Sequence, residues 1–313
     1  MTEFAMLFPG QGSQSVGMLA ELSERNAEVK ACFQQAGKVL GIDLWKLACE
    51  GPEEELGKTE ITQPALLAAG VAVWRSWQEA GGPMPAALAG HSLGEYTALV
   101  CAEALDFEEA VSLVADRGRF MQQAVPRGQG SMAAILGLDD ELLAQICSKA
   151  AGDQVVAPAN LNSPGQVVIA GHREAVERAC EACQEAGARR AMILPVSVPS
   201  HCSLMEPAAG DLQERLESVN IRPPKLPVIH NVDVRQHPEA DSIRKALTDQ
   251  LVSPVQWTRT INHMKNQGLE HMAECGPGRV LCGLNRRIDR TLTCISLETP
   301  ERLEDTALEW NDN

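Results

Sequence analysis

The segment around Ser92 restricts the fold of this chain more than any other stretch. Gly90, Ser92 and Gly94 form a Gly-x-Ser-x-Gly motif, preceded by an apolar run at 83–89 and followed by an Ala- and Leu-rich helical pattern at 93–104. A strand, a sharp turn and a helix in this order expose the serine hydroxyl on a strained turn. Glycine on both sides avoids collisions with the adjacent strand and helix. The alternative interpretation is a glycine-flanked serine that only caps the helix.

Strand and helix patterns alternate along most of the chain. A short apolar run at 4–8 predicts a first strand, and a Gly-rich loop follows it. This loop is not a dinucleotide-binding fingerprint, because Ser15 stands where the third glycine would be needed. The other patterns lie at 26–40, 64–81, 107–125, 228–231, 243–251, 258–267, 271–274, 278–286 and 293–296. Strands that alternate with helices predict an α/β fold with a mainly parallel sheet.

Residues 128–197 show a different pattern and interrupt the first one. Strands are predicted at 131–138, 155–160, 166–170 and 191–196, and helices at 139–150 and 173–185. The order β-α-β-β-α-β is typical of a ferredoxin-like unit. We therefore predict a discontinuous α/β core, residues 1–127 and 198–313, with an inserted ferredoxin-like subdomain at 128–197.

Charge and hydropathy exclude several classes of protein. The net charge of −15 disfavours nucleic-acid binding, because phosphate contacts require Lys and Arg. The N-terminus lacks the pattern of a signal peptide, and the longest apolar run, 64–74, is far shorter than the roughly 20 residues that span a bilayer. We expect a cytoplasmic protein with no membrane contact. The acidic segment from Glu298 onward is predicted to be a solvated end.

The ten cysteines do not indicate a metal site. Cys180 and Cys183 form an isolated C-x-x-C within a helical pattern, without a second pair. Zinc or redox chemistry is disfavoured there. Thiols spread through apolar segments are expected to be small core residues in a reducing cytosol.

A serine nucleophile requires a base to accept its proton. The candidates are His91, His172, His201, His230, His237, His263 and His271. His91 adjoins Ser92, and adjacent side chains on such a turn diverge; His172, His237 and His263 lie in polar segments and are expected at the surface. His201 is favoured because it lies where the inserted unit returns to the core, a junction that commonly borders a cleft. His230 and His271, near strand ends, remain alternatives.

Eight motifs in one order give the chain a family resemblance. They are FPGQGSQ (8–14), TQPA (62–65), GHSLGEY (90–96), RGRFMQ (117–122), NSPGQ (162–166), VPSH (198–201), PVQW (254–257) and ECGPG (274–278). Together they resemble the malonyl-CoA:acyl-carrier-protein transacylases, the stand-alone malonyltransferases of bacterial-type fatty acid synthesis. The resemblance implies a hydrolase-like α/β core with an inserted ferredoxin-like unit, which agrees with the patterns above.

The resemblance also implies a role for each residue of the catalytic centre. Ser92 corresponds to the acylated nucleophile and His201 to the general base and acid. The backbone carbonyl of Gln250 corresponds to the group that orients this histidine, in place of a carboxylate. The backbone N–H groups of Gln11 and Leu93 correspond to the oxyanion hole.

The same resemblance implies how the substrate is selected. Arg117 corresponds to the residue that binds the free carboxylate of a malonyl group, ideally as a bidentate pair. Gln63 corresponds to a position near the pocket without a firm role, and Asn160 and Asn162 are similar cases. Malonyl and methylmalonyl groups are not distinguished.

The implied reaction is a ping-pong transfer from malonyl-CoA to the thiol of acyl carrier protein, for fatty acid biosynthesis, by a monomer without metal or cofactor. A polyketide pathway remains open. Arg189, Arg190, Arg286 and Arg287 are candidate contacts for the acidic carrier, with a merely solvated surface as the alternative. Two rival hypotheses are a serine esterase or thioesterase on a related core and a non-catalytic carrier-binding protein.

Overall fold

A computed structural model of the protein describes residues 2–196 and 198–312. The strands are β1 (Phe4–Phe8), β2 (Ala87–Gly90), β3 (Gly130–Leu136), β4 (Val156–Ser163), β5 (Gln166–His172), β6 (Arg190–Ile193), β7 (Val228–Ile229), β8 (His271–Glu274) and β9 (Thr293–Ser296). The first helices are α1 (Ala20–Arg25), α2 (Ala27–Leu40), α3 (Leu44–Glu50), α4 (Glu53–Leu56), α5 (Thr59–Glu79), α6 (Gly94–Cys101) and α7 (Phe107–Ala124). They are followed by α8 (Asp140–Ala151), α9 (Arg173–Glu185), α10 (Glu206–Glu217), α11 (Ala240–Val252), α12 (Trp257–Asn266), α13 (Val280–Ile288) and α14 (Pro300–Asp312).

The larger sheet is entirely parallel, with strand order β7-β2-β1-β8-β9. All five residues of β1 are buried, and they divide between two hydrophobic clusters. Phe4, Met6 and Phe8 belong to one cluster, whereas Ala5 and Leu7 belong to the other. Because side chains alternate along a strand, the sheet has a packed layer on each face.

The smaller sheet is antiparallel, with strand order β4-β5-β3-β6. Helices α8 and α9 share a hydrophobic cluster with it. This order and the sequence of elements are those of a ferredoxin-like unit, so the predicted fold class is confirmed. The division into domains stays a prediction, and Ser197, at its boundary, lies outside the described residues.

The C-terminal segment differs from its prediction. The expectation of a solvated end was wrong, because Leu303, Ala307 and Trp310 lie on one face of α14 and are buried. The Trp310 ring lies 4.5 Å from that of Phe4, centroid to centroid. Apolar residues four and three positions apart form such a face, while the acidic residues between them remain exposed.

Some element boundaries also differ. Strand β6 ends at Ile193 rather than at residue 196, and β7 has only two residues. Helix α5 begins at Thr59, before Pro64, and packs against α7. A Cβ on Gly118 of α7 would lie 2.7 Å from the Cα of Glu60, so the two helices are closely apposed.

Not every thiol is free. Cys282 and Cys294 form a disulfide between α13 and β9, so the expectation of uniformly reduced core thiols was wrong for this pair. Cys180 and Cys183 are free and lie in the hydrophobic cluster of the smaller sheet. Across the described ranges, no helix has the length and hydrophobicity needed to cross a membrane.

Candidate active site

The larger sheet brings three loops to one edge. Gln11 follows β1, Ser92 follows β2, and Asn231 follows β7, which are neighbouring parallel strands. The carboxyl ends of parallel strands meet at the same edge, where α/β proteins commonly bind ligands.

Ser92 occupies a tight turn between β2 and α6. Its φ of 52° lies in the left-handed region, which is uncommon for a residue with a side chain. A Cβ on Gly90 would lie 1.8 Å from the backbone of Gly94, and one on Gly94 would lie 2.0 Å from the carbonyl oxygen of Phe8. The two glycines of the motif are therefore required sterically. The Ser92 N–H donates to Asn231 Oδ1 at 2.7 Å.

His201 lies directly against Ser92. Its Nε2 is 2.8 Å from Ser92 Oγ, and its Nδ1 is 2.7 Å from the backbone carbonyl oxygen of Gln250. Gln250 is in the last turn of α11, where carbonyls have no partner within the helix. This arrangement leaves Nδ1 as the donor and Nε2 free to accept the Ser92 proton.

Burial keeps this histidine neutral. The pKa of His201 is lowered to about 3, first by burial and then by the nearby charge of Arg117, while its hydrogen bond to Gln250 acts in the opposite direction. The unprotonated imidazole at neutral pH is the form required of a general base.

Arg117 places a buried cation beside the pair. Its side chain is 1% exposed and donates to Gln63 Oε1 at 2.8 Å, to Gln250 Oε1 at 3.0 Å and to Ser92 Oγ at 3.3 Å. All three acceptors are neutral groups, and Arg117 Nε has no hydrogen-bond partner. Burial lowers its pKa, with Tyr96 and Glu95 acting against this effect. Such a guanidinium is suited to bind an anionic group of a ligand.

These residues line a cavity of about 800 Å³ that lies between the two sheets. Gln11, Leu93 and Gln63 contribute from the core, and Asn160 from β4 contributes from the smaller sheet. Asn160 Oδ1 is buried without a hydrogen-bond partner. Asn162 is hydrogen-bonded to His91 Nε2 at 2.8 Å, so this ring nitrogen is not bonded to Ser92.

Sequence reasoning missed a second group behind Ser92. Glu95, His230 and Asn231 are all buried, and His230 Nδ1 is 2.7 Å from Glu95 Oε1. His230, left open as a base, thus faces a carboxylate rather than Ser92. The available signal was the position of Glu95 directly after the Gly-x-Ser-x-Gly motif and of His230 at a strand end.

The remaining histidines lie away from Ser92. His172 Nδ1 accepts from the Val155 N–H at 3.0 Å, and His237 pairs with Asp233 at 2.9 Å. The His271 ring packs against Trp310. His172, His237 and His263, which were predicted at the surface, are half-buried there. Within the part of the chain that the structure describes, no group of three or more His, Cys, Asp and Glu side chains could hold a metal ion.

The predicted arginine pairs meet at one place. Arg189 and Arg190 at the start of β6, and Arg286 and Arg287 on α13, line one cleft of about 850 Å³, together with Arg290. All five side chains are exposed. Two sequence segments about 100 residues apart thus form a single basic cleft.

Comparison with known proteins identifies, as a first step, the broad class to which the chain belongs. Residues 5–287 match the acyl transferase domain family. The chain is also 57% identical over 303 residues to the malonyl CoA-acyl carrier protein transacylase of Escherichia coli strain K12, covering 97% of this chain and 98% of the relative. The Bacillus subtilis protein of the same name is 45% identical over 317 residues, with full coverage of both chains.

Solved structures agree with these sequence matches. The malonyl CoA-acyl carrier protein transacylase of Coxiella burnetii has a TM-score of 0.97 at 54% identity, covering 99% of this chain and 98% of that one. A malonyl-transacylase solved in complex with a type II PKS acyl-carrier protein also has a TM-score of 0.97 at 54% identity, over 98% and 100% of the chains. The protein belongs to the malonyl CoA-acyl carrier protein transacylase family of acyl transferases.

Proposed function

We propose that this protein transfers a malonyl group from malonyl-CoA to the phosphopantetheine thiol of an acyl carrier protein, through an ester on Ser92. The observation that carries the proposal is the Ser92–His201 pair beside a buried Arg117 whose acceptors are all neutral. A hydrolase that uses water does not require such a cation.

The first half-reaction forms the ester. His201 Nε2 accepts the hydroxyl proton of Ser92 while Oγ bonds to the thioester carbonyl carbon. The resulting oxyanion is positioned for the backbone N–H groups of Gln11 and Leu93, the latter at the N-terminus of α6. When the intermediate collapses, the C–S bond breaks and the coenzyme A sulfur takes the proton from His201.

The second half-reaction reverses these steps with a different thiol. His201 accepts the proton of the phosphopantetheine thiol as its sulfur attacks the malonyl ester. The ester C–O bond breaks, and Ser92 Oγ regains a proton from His201. The imidazolium formed in each half is stabilised by the Gln250 carbonyl and by the partial negative charge at the end of α11.

Mass spectrometry tests the intermediate directly. Incubation with malonyl-CoA, without carrier, is expected to add one malonyl mass to the peptide that contains Ser92. The Ser92→Ala variant should remain unmodified and inactive. Transfer by an enzyme whose Ser92 is never modified would exclude the mechanism.

The same reaction separates transfer from hydrolysis. With carrier present, malonyl-carrier should form faster than free malonate, as the family membership supports. Predominant release of malonate would favour the rival thioesterase, and an inert wild-type protein would favour a carrier-binding role. Repeating the assay with methylmalonyl-CoA and acetyl-CoA measures acyl selectivity.

The proposal includes the partner and the setting. An acidic carrier protein is proposed to dock at the basic cleft of Arg189, Arg190, Arg286 and Arg287, as the local charge supports. We further propose that the enzyme is monomeric and cytoplasmic, acts in fatty acid biosynthesis, and needs no metal or cofactor. Comparing transfer to a fatty-acid carrier and to a polyketide carrier tests the pathway.

A further inference from the structure

We infer that Glu95 is a positioning residue that supplies the negative charge that the Ser92–His201 pair lacks. The pair has a backbone carbonyl where serine hydrolases have a carboxylate. Glu95 is fully buried on α6, one turn beyond Ser92. The inference rests on the proposed acyl transfer for its role in turnover, although its contacts are independent of the substrate.

Glu95 accepts three hydrogen bonds behind the nucleophile. Its Oε1 lies 2.7 Å from His230 Nδ1, and its Oε2 accepts from the Asn231 N–H at 2.8 Å and from Gln250 Nε2 at 3.0 Å. Burying a carboxylate is costly unless donors of this kind surround it. Two of these partners extend directly to the catalytic centre.

Asn231 links the carboxylate to the turn that holds Ser92. Its Oδ1 accepts from the Ser92 N–H at 2.7 Å, and its Nδ2 donates to the Gly90 carbonyl at 2.6 Å. These bonds hold both sides of a turn whose φ at Ser92 is 52°. Glu95 fixes the Asn231 backbone, and thereby the direction in which Oγ points.

Gln250 links the same carboxylate to the base and to the cation. Its Nε2 donates to Glu95 and also to the Ser92 carbonyl at 3.1 Å. Its Oε1 accepts from Arg117, and its backbone carbonyl accepts from His201. The Glu95 carboxylate is therefore linked through one intervening residue to the nucleophile, to the base and to the guanidinium proposed to bind substrate. The intervening residue is Asn231 or Gln250.

The charge itself has a function that geometry alone does not supply. A helix end provides only about half an elementary charge, whereas the imidazolium of the transition state carries a full one. Glu95 is joined to His201 through Gln250, and its charge is weakly screened because little water surrounds this buried group. Glu95 thus favours proton transfer to His201 without contacting it.

The variant Glu95→Gln tests this inference. The amide oxygen can still accept from Asn231 and Gln250, and the amide nitrogen can donate to His230 in its other tautomer. The change removes charge and retains shape. We expect kcat to fall about 10- to 150-fold, the equivalent of one charged hydrogen bond, with KM for malonyl-CoA and the thermal midpoint close to wild type. The exposed Glu108→Gln on α7 is the matched control.

A fluorophosphonate probe separates this inference from the proposed function. The probe reacts with an activated serine, and its rate should fall in Glu95→Gln in parallel with kcat. If wild-type protein reacts with the probe but does not transfer malonyl, the proposed function fails while the role of Glu95 can still be measured.

Three results would overturn the role of Glu95. They are wild-type kcat and probe rates in a folded Glu95→Gln, a change in KM alone, and an activity loss that only matches the unfolded fraction. Should Glu95→Gln not fold, Gln250→Met removes the side-chain link and keeps the carbonyl bonded to His201. It should then show the same slow reaction with the probe, and a wild-type probe rate would contradict the inference.

Discussion

At the scale of single residues, the candidate active site contains two residues with strained backbone conformations, and their side chains face each other. Ser92 and His201 have φ values of 52° and 63°, both in the left-handed region. Such conformations persist only where the surroundings hold them. Here Asn231 holds the first, and the carbonyl of Gln250 fixes the ring of the second. Between these two residues, Ser92 Oγ and His201 Nε2 lie 2.8 Å apart.

Arg117→Ala tests the proposed recognition of the malonyl carboxylate. Malonyl transfer should fall about 10- to 150-fold, the value of one charged hydrogen bond, whereas acetyl transfer should be spared or improved. Initial rates with the two thioesters measure this difference. Arg119→Ala is the control, because Arg119 is exposed and pairs with Asp116. An equal loss for both acyl groups would refute the carboxylate role.

The low pKa of His201 predicts an unusual pH dependence. Its value of about 3 means that the base stays unprotonated well below the ordinary histidine pKa of 6.5. The rate of Ser92 acylation should therefore stay level from pH 8 to about 5.5 in rapid-quench measurements. A tenfold decline centred near pH 6.5 would show that His201 titrates normally.

The same shift has a consequence for stability. Between pH 6.5 and about 3, the unfolded chain binds a proton at His201 that the folded protein does not. The contribution of this residue to the free energy of unfolding is therefore present above pH 6.5 and is lost as the pH falls through this window. His201→Gln should show a weaker decline in stability over that range than wild type in urea titrations.

At the scale of elements, a strand end caps a helix that carries part of the basic cleft. Glu274, the last residue of β8, accepts from the N–H groups of Leu281 at 3.0 Å and Cys282 at 2.8 Å. These N–H groups lie in the first turn of α13, where no partner exists within the helix. The carboxylate thereby fixes α13, and with it Arg286 and Arg287, against the larger sheet.

Glu274→Ala should destabilise the fold measurably. Both N–H groups would lose their acceptor in a buried place, so the free energy of unfolding should fall by about 2–4 kcal/mol. Urea denaturation followed by tryptophan fluorescence measures the change. Glu298→Ala, on a half-buried residue beyond β9, serves as the control. Equal stability of the two variants would contradict the capping role.

At the scale of the whole molecule, charge is distributed unevenly. The chain has a net charge of −15, yet five arginines surround one cleft. Fields from distant carboxylates are screened over roughly 8–10 Å at physiological salt, so the local positive charge dominates there. This cleft and the cavity at Ser92 both include residues of the smaller sheet. The inserted unit therefore contributes to both candidate binding surfaces.

Reversing the charge of the cleft should affect the carrier and not the acyl donor. In Arg286→Glu/Arg287→Glu, KM for the carrier should rise about 5- to 30-fold at low salt and less at high salt. Acylation of Ser92 by malonyl-CoA should be unchanged. The control Lys30→Glu/Lys38→Glu makes the same change of charge on exposed residues of α2. A rise in both double variants would point to a non-specific effect of net charge.

Local patterns predicted the elements well where each segment carries its own signal. The helix-sheet alternation and the β-α-β-β-α-β order were recoverable because side-chain periodicity follows directly from backbone geometry. The tail was misjudged, because many acidic residues obscure the apolar face of Leu303, Ala307 and Trp310. The pairing of Cys282 with Cys294 was likewise missed, because spacing does not reveal which thiols the fold brings together.

The sequence by itself determined the turn at Ser92. Glycine is the only residue type that the close backbone contacts at Gly90 and Gly94 permit. Its motifs also determined the family. Only the tertiary structure decided which groups surround that serine. Glu95 and Gln250 are 155 positions apart, and Ser92 and Asn231 are 139 apart, yet each pair is joined by a hydrogen bond. The physical reason is that a turn follows from local sterics, whereas the partners of a buried polar group are chosen by the packing of distant elements.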